Sequence, residues 1–243
     1  MRSFWRRVDI PAKGGFRHLC AGILLSTLFF CSISASSFAS GAEADFAAKF
    51  GPIIEFEVLR DGTPVGRHQV RFENQQDGVT VTSEMALTVR LFSIPVYNFK
   101  YTAVEYWRQG QLHNLRVDVD DDGDKHRIEA ERNQDKLSVV GPDGTREFSG
   151  GVFPTSHWNP AVLQQNTVLN TITGQMNNVE ITKTSYENIE VSGVTRRAAR
   201  YHYSGDLAVT AWYDAAGRWI KLSFMAEDGS QIEYRCVICK ADG

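Results

Sequence analysis

The chain has 243 residues, 26 Lys and Arg against 29 Asp and Glu, a formal net charge of −3, and 42% hydrophobic residues. Residues 1–39 carry five of the basic residues and one of the acids, so the remainder holds 21 against 28, a net charge of −7. An acidic domain of about 200 residues is a poor nucleic-acid binder, and is long enough for one large β domain but hardly for two.

In chain order, Arg2, Arg6, Arg7, Lys13 and Arg17 form a basic leader, Leu19 to Ile33 is a mostly apolar run of 15 residues, and Ser34 to Ala42 is a small-residue stretch. The apolar run is short of the ~20 residues of a comfortable bilayer span. Basic, then apolar, then small is the order of a cleavable secretory signal over residues 1–39. Cleavage after Ala39 places Ser37 at −3, with Ala42 and Ala44 as nearby alternatives. The expectation is a periplasmic or secreted protein whose mature chain, residues 40–243, is a single all-β domain without a membrane span. Only Cys236 and Cys239 survive that cleavage, and in an exported protein they are candidates for a disulfide.

Ala42 to Lys49 reads as a short helix. From Ile54 onward apolar and polar residues alternate, most clearly at Val79, Val81, Met85, Leu87 and Val89, and again at Tyr97, Phe99, Tyr101, Ala103, Glu105 and Trp107. Period-2 alternation means one dry face and one wet face. Seven turns punctuate the pattern, at Arg60–Thr63, Gln76–Gly78, Arg108–Gln111, Asp121–Asp124, Pro142–Thr145, Asp214–Gly217 and Glu227–Ser230. Their glycines supply the positive φ that twist-matched hairpins require. The rhythm breaks at Gly150–Pro160, where Asn159 as N-cap and Pro160 at the first helical position predict a short helix to about Asn166.

Twelve or so strands joined by short turns form antiparallel neighbours, and twist curls a sheet of that size. The predicted fold is a strongly curved antiparallel meander, a closed or half-open barrel with one short helix near 159–166. The alternative is a two-layer β-sandwich. A membrane-spanning barrel would need an apolar outer band, where these strands offer Thr, Glu and Arg.

Four constellations carry candidate chemistry. Asp118, Asp120, Asp122 and Glu129 fit the twelve-residue calcium-loop spacing with Gly123 at its sharp turn, although Leu115–Val119 and Ile128–Ala130 read as strands of a hairpin rather than flanking helices. Ser156, His157, Trp158 and Asn159 follow Gly150-Gly151. There His157 is a candidate base or ligand contact, Trp158 a plug for one end of the barrel and Asn159 a helix cap; no nucleophile elbow is present. Glu105 shares a face with Tyr97, Phe99, Tyr101 and Trp107, where burial would raise its pKa; the favoured reading pairs it with an interior Arg or leaves it at a wet strand end. Cys236-Val237-Ile238-Cys239 ends a strand, where residues i and i+3 lie ~10 Å apart. A disulfide therefore needs a turn before Cys239.

The opening Leu59-Arg60-Asp61-Gly62-Thr63-Pro64-Val65-Gly66-Arg67-His68, with Glu105-Tyr106-Trp107, Ser156-His157-Trp158-Asn159 and Ala211-Trp212-Tyr213-Asp214, resembles a family of exported bacterial β-rich proteins defined only as a domain of unknown function. The likeness covers nearly the whole region after the leader, with Leu59 and Val65 standing where the family's opening has Val and Ile. More distantly the architecture is similar to that of periplasmic lipoprotein carriers, whose curved sheet holds acyl chains. The resemblance implies export and an all-β fold and carries over no catalytic residue.

Three functions follow as expectations. The first is a non-enzymatic carrier of a lipid or other apolar or amphipathic molecule, using the aromatic face and the His157 loop. The second is an envelope protein that docks a partner by an edge strand or loop. The third is a hydrolase centred on Ser156 and His157. Calcium is the one cofactor the sequence suggests.

Overall fold

The computed structural model describes residues 46–240; the leader and its cleavage positions lie outside the described residues. A five-residue helix, α1 (Phe46–Phe50), leads into fourteen strands. These are β1 (Ile53–Arg60), β2 (Thr63–Gln75), β3 (Gly78–Leu91), β4 (Ile94–Arg108), β5 (Gln111–Asp121), β6 (Asp124–Asn133), β7 (Lys136–Gly141), β8 (Gly144–Ser149), β9 (Thr167–Leu169), β10 (Met176–Val191), β11 (Val194–Gly205), β12 (Val209–Asp214), β13 (Trp219–Met225) and β14 (Gln231–Ile238).

All fourteen join one sheet in the order β8-β7-β6-β5-β4-β3-β2-β1-β14-β13-β12-β11-β10-β9. The only neighbours not adjacent in sequence are β1 and β14, which pair antiparallel from Glu55–Ile238 to Arg60–Ile232. The sheet is thus an open meander wound from both chain ends outward. It does not close, because β8 and β9 are its two edges. The count exceeds the predicted dozen by β8, an exposed strand with no apolar alternation, and by the three residues of β9. The short helix is a single 3-10 turn, Pro160–Gln164, with Asn159 Oδ1 accepting from the Ala161 amide at 3.1 Å.

One face is dry. Alternate residues of β4 from Tyr97 to Trp107 are all buried, and every strand except β8 contributes buried side chains to one main cluster. The seven predicted turns all fall between consecutive strands. Asp61-Gly62, with φ of 47° and 78°, closes β1–β2 as a two-residue hairpin whose flanking pair is Arg60 and Thr63. Four residues on, Gly66 lies against β3, where a Cβ would sit 2.0 Å from the Ala86 carbonyl oxygen. Gly66→Ala must push the β2 and β3 backbones apart and is expected to cost about 2 kcal/mol, read as a lowered urea midpoint at unchanged slope.

The segment between β8 and β10 bridges the sheet's open side. Pro154 makes a parallel bridge to Leu169, and Gln175 Nε2 donates to Asp143 Oδ2 at 2.5 Å. His126 Nε2 lies 2.6 Å from the Ile172 carbonyl oxygen, and Gly174 packs on Ile128. This strap, residues 150–175, sits across the inner face and positions the candidate site.

Candidate functional site

Glu105 is fully buried on β4 and anchors the strap. Ser156 Oγ donates to its Oε1, while its Oε2 accepts from Trp107 Nε1 at 2.7 Å and from Trp158 Nε1 at 3.3 Å. The sequence pattern favours an interior Arg or a wet strand end for this residue. Both are corrected: the donors are one hydroxyl and two indoles, which satisfy a carboxyl group without a buried countercharge. Burial raises the Glu105 pKa, and the three donors offset that only in part. Trp158 plugs the space beneath, 1% exposed, in edge contact with Phe46, Phe72 and Trp107.

Beside this clamp lies a cavity of about 90 Å³. β2 contributes His68, β3 Ser83 and Met85, β4 Tyr101, β13 and β14 Trp219 and Tyr234, and the strap Thr155, Ser156, His157 and Thr171. Tyr101 OH donates to Thr171 Oγ1 at 2.9 Å, a second tie from strap to sheet. Tyr234 OH contacts Met85 Sδ at 3.0 Å. The walls are mostly apolar, with a few polar groups converging, as small-molecule sites require.

The two imidazoles are its most telling feature. His157 is buried, and its ring contacts Tyr203 and Trp219, each at 5.5 Å between centroids. His68 is half-buried, contacts Trp219 at 5.7 Å and Tyr234 at 5.5 Å, and its remaining surface borders the cavity. Neither Nδ1 has a hydrogen-bond partner. Burial pushes the His68 pKa down to about 3, with His157 a lesser cause, and burial pushes His157 down to about 4. Both rings are therefore neutral at ordinary pH. Each keeps one donor and one acceptor nitrogen.

Of the sequence candidates, Tyr101, Ser156, His157 and Trp158 meet at the cavity, and Glu105 and Trp107 fasten the strap above it. Tyr97 and Phe99 are buried farther along β4, with Tyr97 OH donating to Asp121 Oδ1 at 2.6 Å. Asn159 caps the 3-10 turn. Ser156 and His157 do not form a catalytic pair, because the hydroxyl donates to Glu105 while the imidazole faces Tyr203 and Trp219. His68 was missed as a site residue although it ends the opening motif on the stripe shared with Val70 and Phe72. A polar side chain on an apolar stripe was the available signal.

The calcium spacing belongs to the β5–β6 hairpin. Asp118 receives Arg127 Nε at 2.7 Å and Arg116 Nε at 3.4 Å, and Arg127 holds its carboxyl below the usual range. Asp120 accepts from the Gly123 amide at 2.9 Å and faces Lys125, Asp122 accepts from the Asn98 amide at 3.2 Å, and Glu129 stands opposite Arg116. The four carboxylates point at different partners. Among the described residues no three His, Cys, Asp or Glu side chains are placed to share a metal ion. Cys236 and Cys239 are joined by a disulfide with their Cα atoms 6.1 Å apart, β14 ending at Ile238 before the second cysteine.

A second buried polar cluster is structural. Asp214 ends β12, accepts from the Ala216 and Arg218 amides, and pairs with Arg218 Nε at 2.6 Å and Arg196 Nη1 at 3.6 Å.

A family model described as a domain of unknown function (DUF6134) matches residues 56–237. Among solved structures, the chain is similar to a beta-barrel-like protein of domain of unknown function DUF1849 from Brucella abortus. The TM-score is 0.55 at 12% identity, covering 79% of this chain and 98% of that one. That likeness speaks to the fold alone. No curated protein matches, and among the described residues no helix is long and apolar enough to cross a membrane.

Proposed function

The chain belongs to the DUF6134 family, a domain of unknown function, and we propose that it is an exported, non-enzymatic binder of a small amphipathic molecule held in the cavity under the 150–175 strap. The observation that carries this reading is a mostly apolar cavity lined by two buried-nitrogen imidazoles, His68 and His157, whose Nδ1 atoms have no hydrogen-bond partner. An unsatisfied buried polar atom costs about 1–3 kcal/mol. A ligand with one hydrogen-bonding end and an apolar body removes that cost and fills the space against Met85, Leu222 and Phe224.

The volume narrows the ligand class. At about 90 Å³ the cavity suits a handful of waters or a compact group, where a site of ~150 Å³ takes a benzene ring. A long acyl chain of the kind held by lipoprotein carriers does not fit the strap's present position. Native mass spectrometry of protein purified from its own envelope is expected to show a co-purifying small mass. His157→Leu keeps the ring's approximate volume, removes the free nitrogen, and is expected to weaken retention about tenfold. An unliganded wild type, or an H157L variant that retains the mass as wild type does, overturns the reading.

A further inference from the structure

We propose that the tip of the β3–β4 hairpin is a membrane-contacting element that inserts Leu91, Phe92 and Ile94 into the surface of a lipid bilayer. This is independent of the cavity, since Met85 lies seven residues, roughly 23 Å of strand, from Phe92.

Four other hairpins of this protein close on a two-residue turn with glycine second and both residues at positive φ: Asp61-Gly62, Gln109-Gly110, Asp122-Gly123 and Ser192-Gly193. The β3–β4 hairpin adopts the same backbone with Phe92 at φ 48° and Ser93 at φ 71°, flanked by the Leu91–Ile94 pair. A bulky residue at positive φ is strained. Packing does not compensate, because Phe92 is 91% exposed, Ile94 66% and Leu91 58%. Backbone strain spent on an aromatic side chain in open solvent points to a use outside the fold.

The tip also stands clear of the sheet. The β2–β3 ladder ends at Gly66–Leu87 and the β4–β5 ladder at Phe99–Asp121. Val89 and Tyr97 are still buried, so beyond that pair the ribbon extends about three residue levels, ~10 Å, past both ladders. It is convex and narrow, a shape that needs a complementary pocket on a folded partner but none in lipid.

Its chemistry fits the headgroup boundary. The backbone pairs within the hairpin up to Leu91–Ile94, and the outward amides of its two open sides sit at headgroup depth, where water and phosphate can pair with them. Arg90 Nη1 donates to the Ser93 carbonyl oxygen at 3.0 Å, which fixes a cation beside the apolar tip at the depth of lipid phosphates. At the foot of the ribbon Asp121 accepts from Tyr97 OH at 2.6 Å and Asp122 from the Asn98 amide at 3.2 Å.

The test is flotation of the purified protein with phosphatidylethanolamine–phosphatidylglycerol vesicles at a 3:1 ratio. Wild type is expected to float, and the double substitution Phe92→Asn with Ser93→Gly to lose at least tenfold in bound fraction. Relief of strain in the same variant is expected to raise the melting temperature by roughly 2–6 °C, which separates lost contact from lost folding. Arg90→Glu is expected to weaken flotation on these vesicles more than on purely zwitterionic ones. Wild type that stays soluble, a double variant that floats as wild type does, or capture of one protein partner at the tip with no vesicle binding overturns the proposal.

Discussion

Glu105→Ala is expected to destabilise the protein by about 3–5 kcal/mol, a fall in melting temperature of roughly 10–15 °C. The change strips the acceptor from Ser156 Oγ, Trp107 Nε1 and Trp158 Nε1 together and leaves donors buried on both the sheet and the strap. Glu105→Gln separates this clamp from a mere packing defect. Its amide oxygen can accept from both indoles while its NH₂ donates to Ser156 Oγ, so every polar atom keeps a partner. The glutamine variant is therefore expected within about 1 kcal/mol of wild type. The linkage runs the same way. A carboxyl whose pKa is raised by burial makes the folded state hold its proton longer than the unfolded chain does. Relative to the glutamine variant, wild type accordingly loses stability as pH climbs from the ordinary 4.5 toward the raised value. Urea unfolding at pH 4.5 and pH 7.5 reads both effects; an alanine variant less than 1 kcal/mol below wild type would remove the clamp from the account.

The strap's dependence on Glu105 explains what the sequence could and could not disclose. Alternation along β4 shows that Glu105 shares the dry face with Tyr101 and Trp107, because side-chain period is a local property of a strand. It does not show what meets Glu105 there. Ser156 and Trp158 arrive from about fifty residues away, on a segment with no period of its own. Turns obeyed the same division. Asp61-Gly62 and Asp122-Gly123 announce themselves, since glycine is the residue that tolerates the required φ. Phe92-Ser93 takes the same backbone without any such signal, and the hairpin went unread. Ser192-Gly193 carries the glycine signal between Val191 and Val194, but β10 before it has little apolar alternation to mark a strand. The opening motif is the most compressed case. Within ten residues it encodes a glycine turn at Gly62, a close strand approach at Gly66 and a cavity imidazole at His68. The first is legible from composition, the second only from the facing Ala86 carbonyl, and the third only once β13, β14 and the strap surround it.

Acidification is expected to test that cavity from the other side. His68 and His157 have folded pKa values of about 3 and about 4 against the ordinary 6.5. Both are bases held neutral in the fold, so below pH 6.5 the unfolded chain takes up protons that the native state refuses. Stability is therefore lost as pH falls from 6.5 toward 4, by about 1.4 kcal/mol per pH unit for each ring. The two together give about 4 kcal/mol between neutral pH and pH 5. Glu105 acts oppositely above pH 4.5, so the histidine contribution is read in the Glu105→Gln background, where that carboxyl is absent. Urea midpoints at pH 7.5 and pH 5 should diverge in the Glu105→Gln protein, and by about half as much when His68→Leu or His157→Leu is added. Ligand affinity follows a different window. The ligand meets rings that are already neutral down to about pH 4, so affinity should stay flat between pH 7.5 and pH 5 while stability falls. If affinity instead drops near pH 6 along with stability, the imidazoles titrate as solvent-exposed groups do. The buried, unpartnered nitrogens on which the binding site rests would then not be its recognition element.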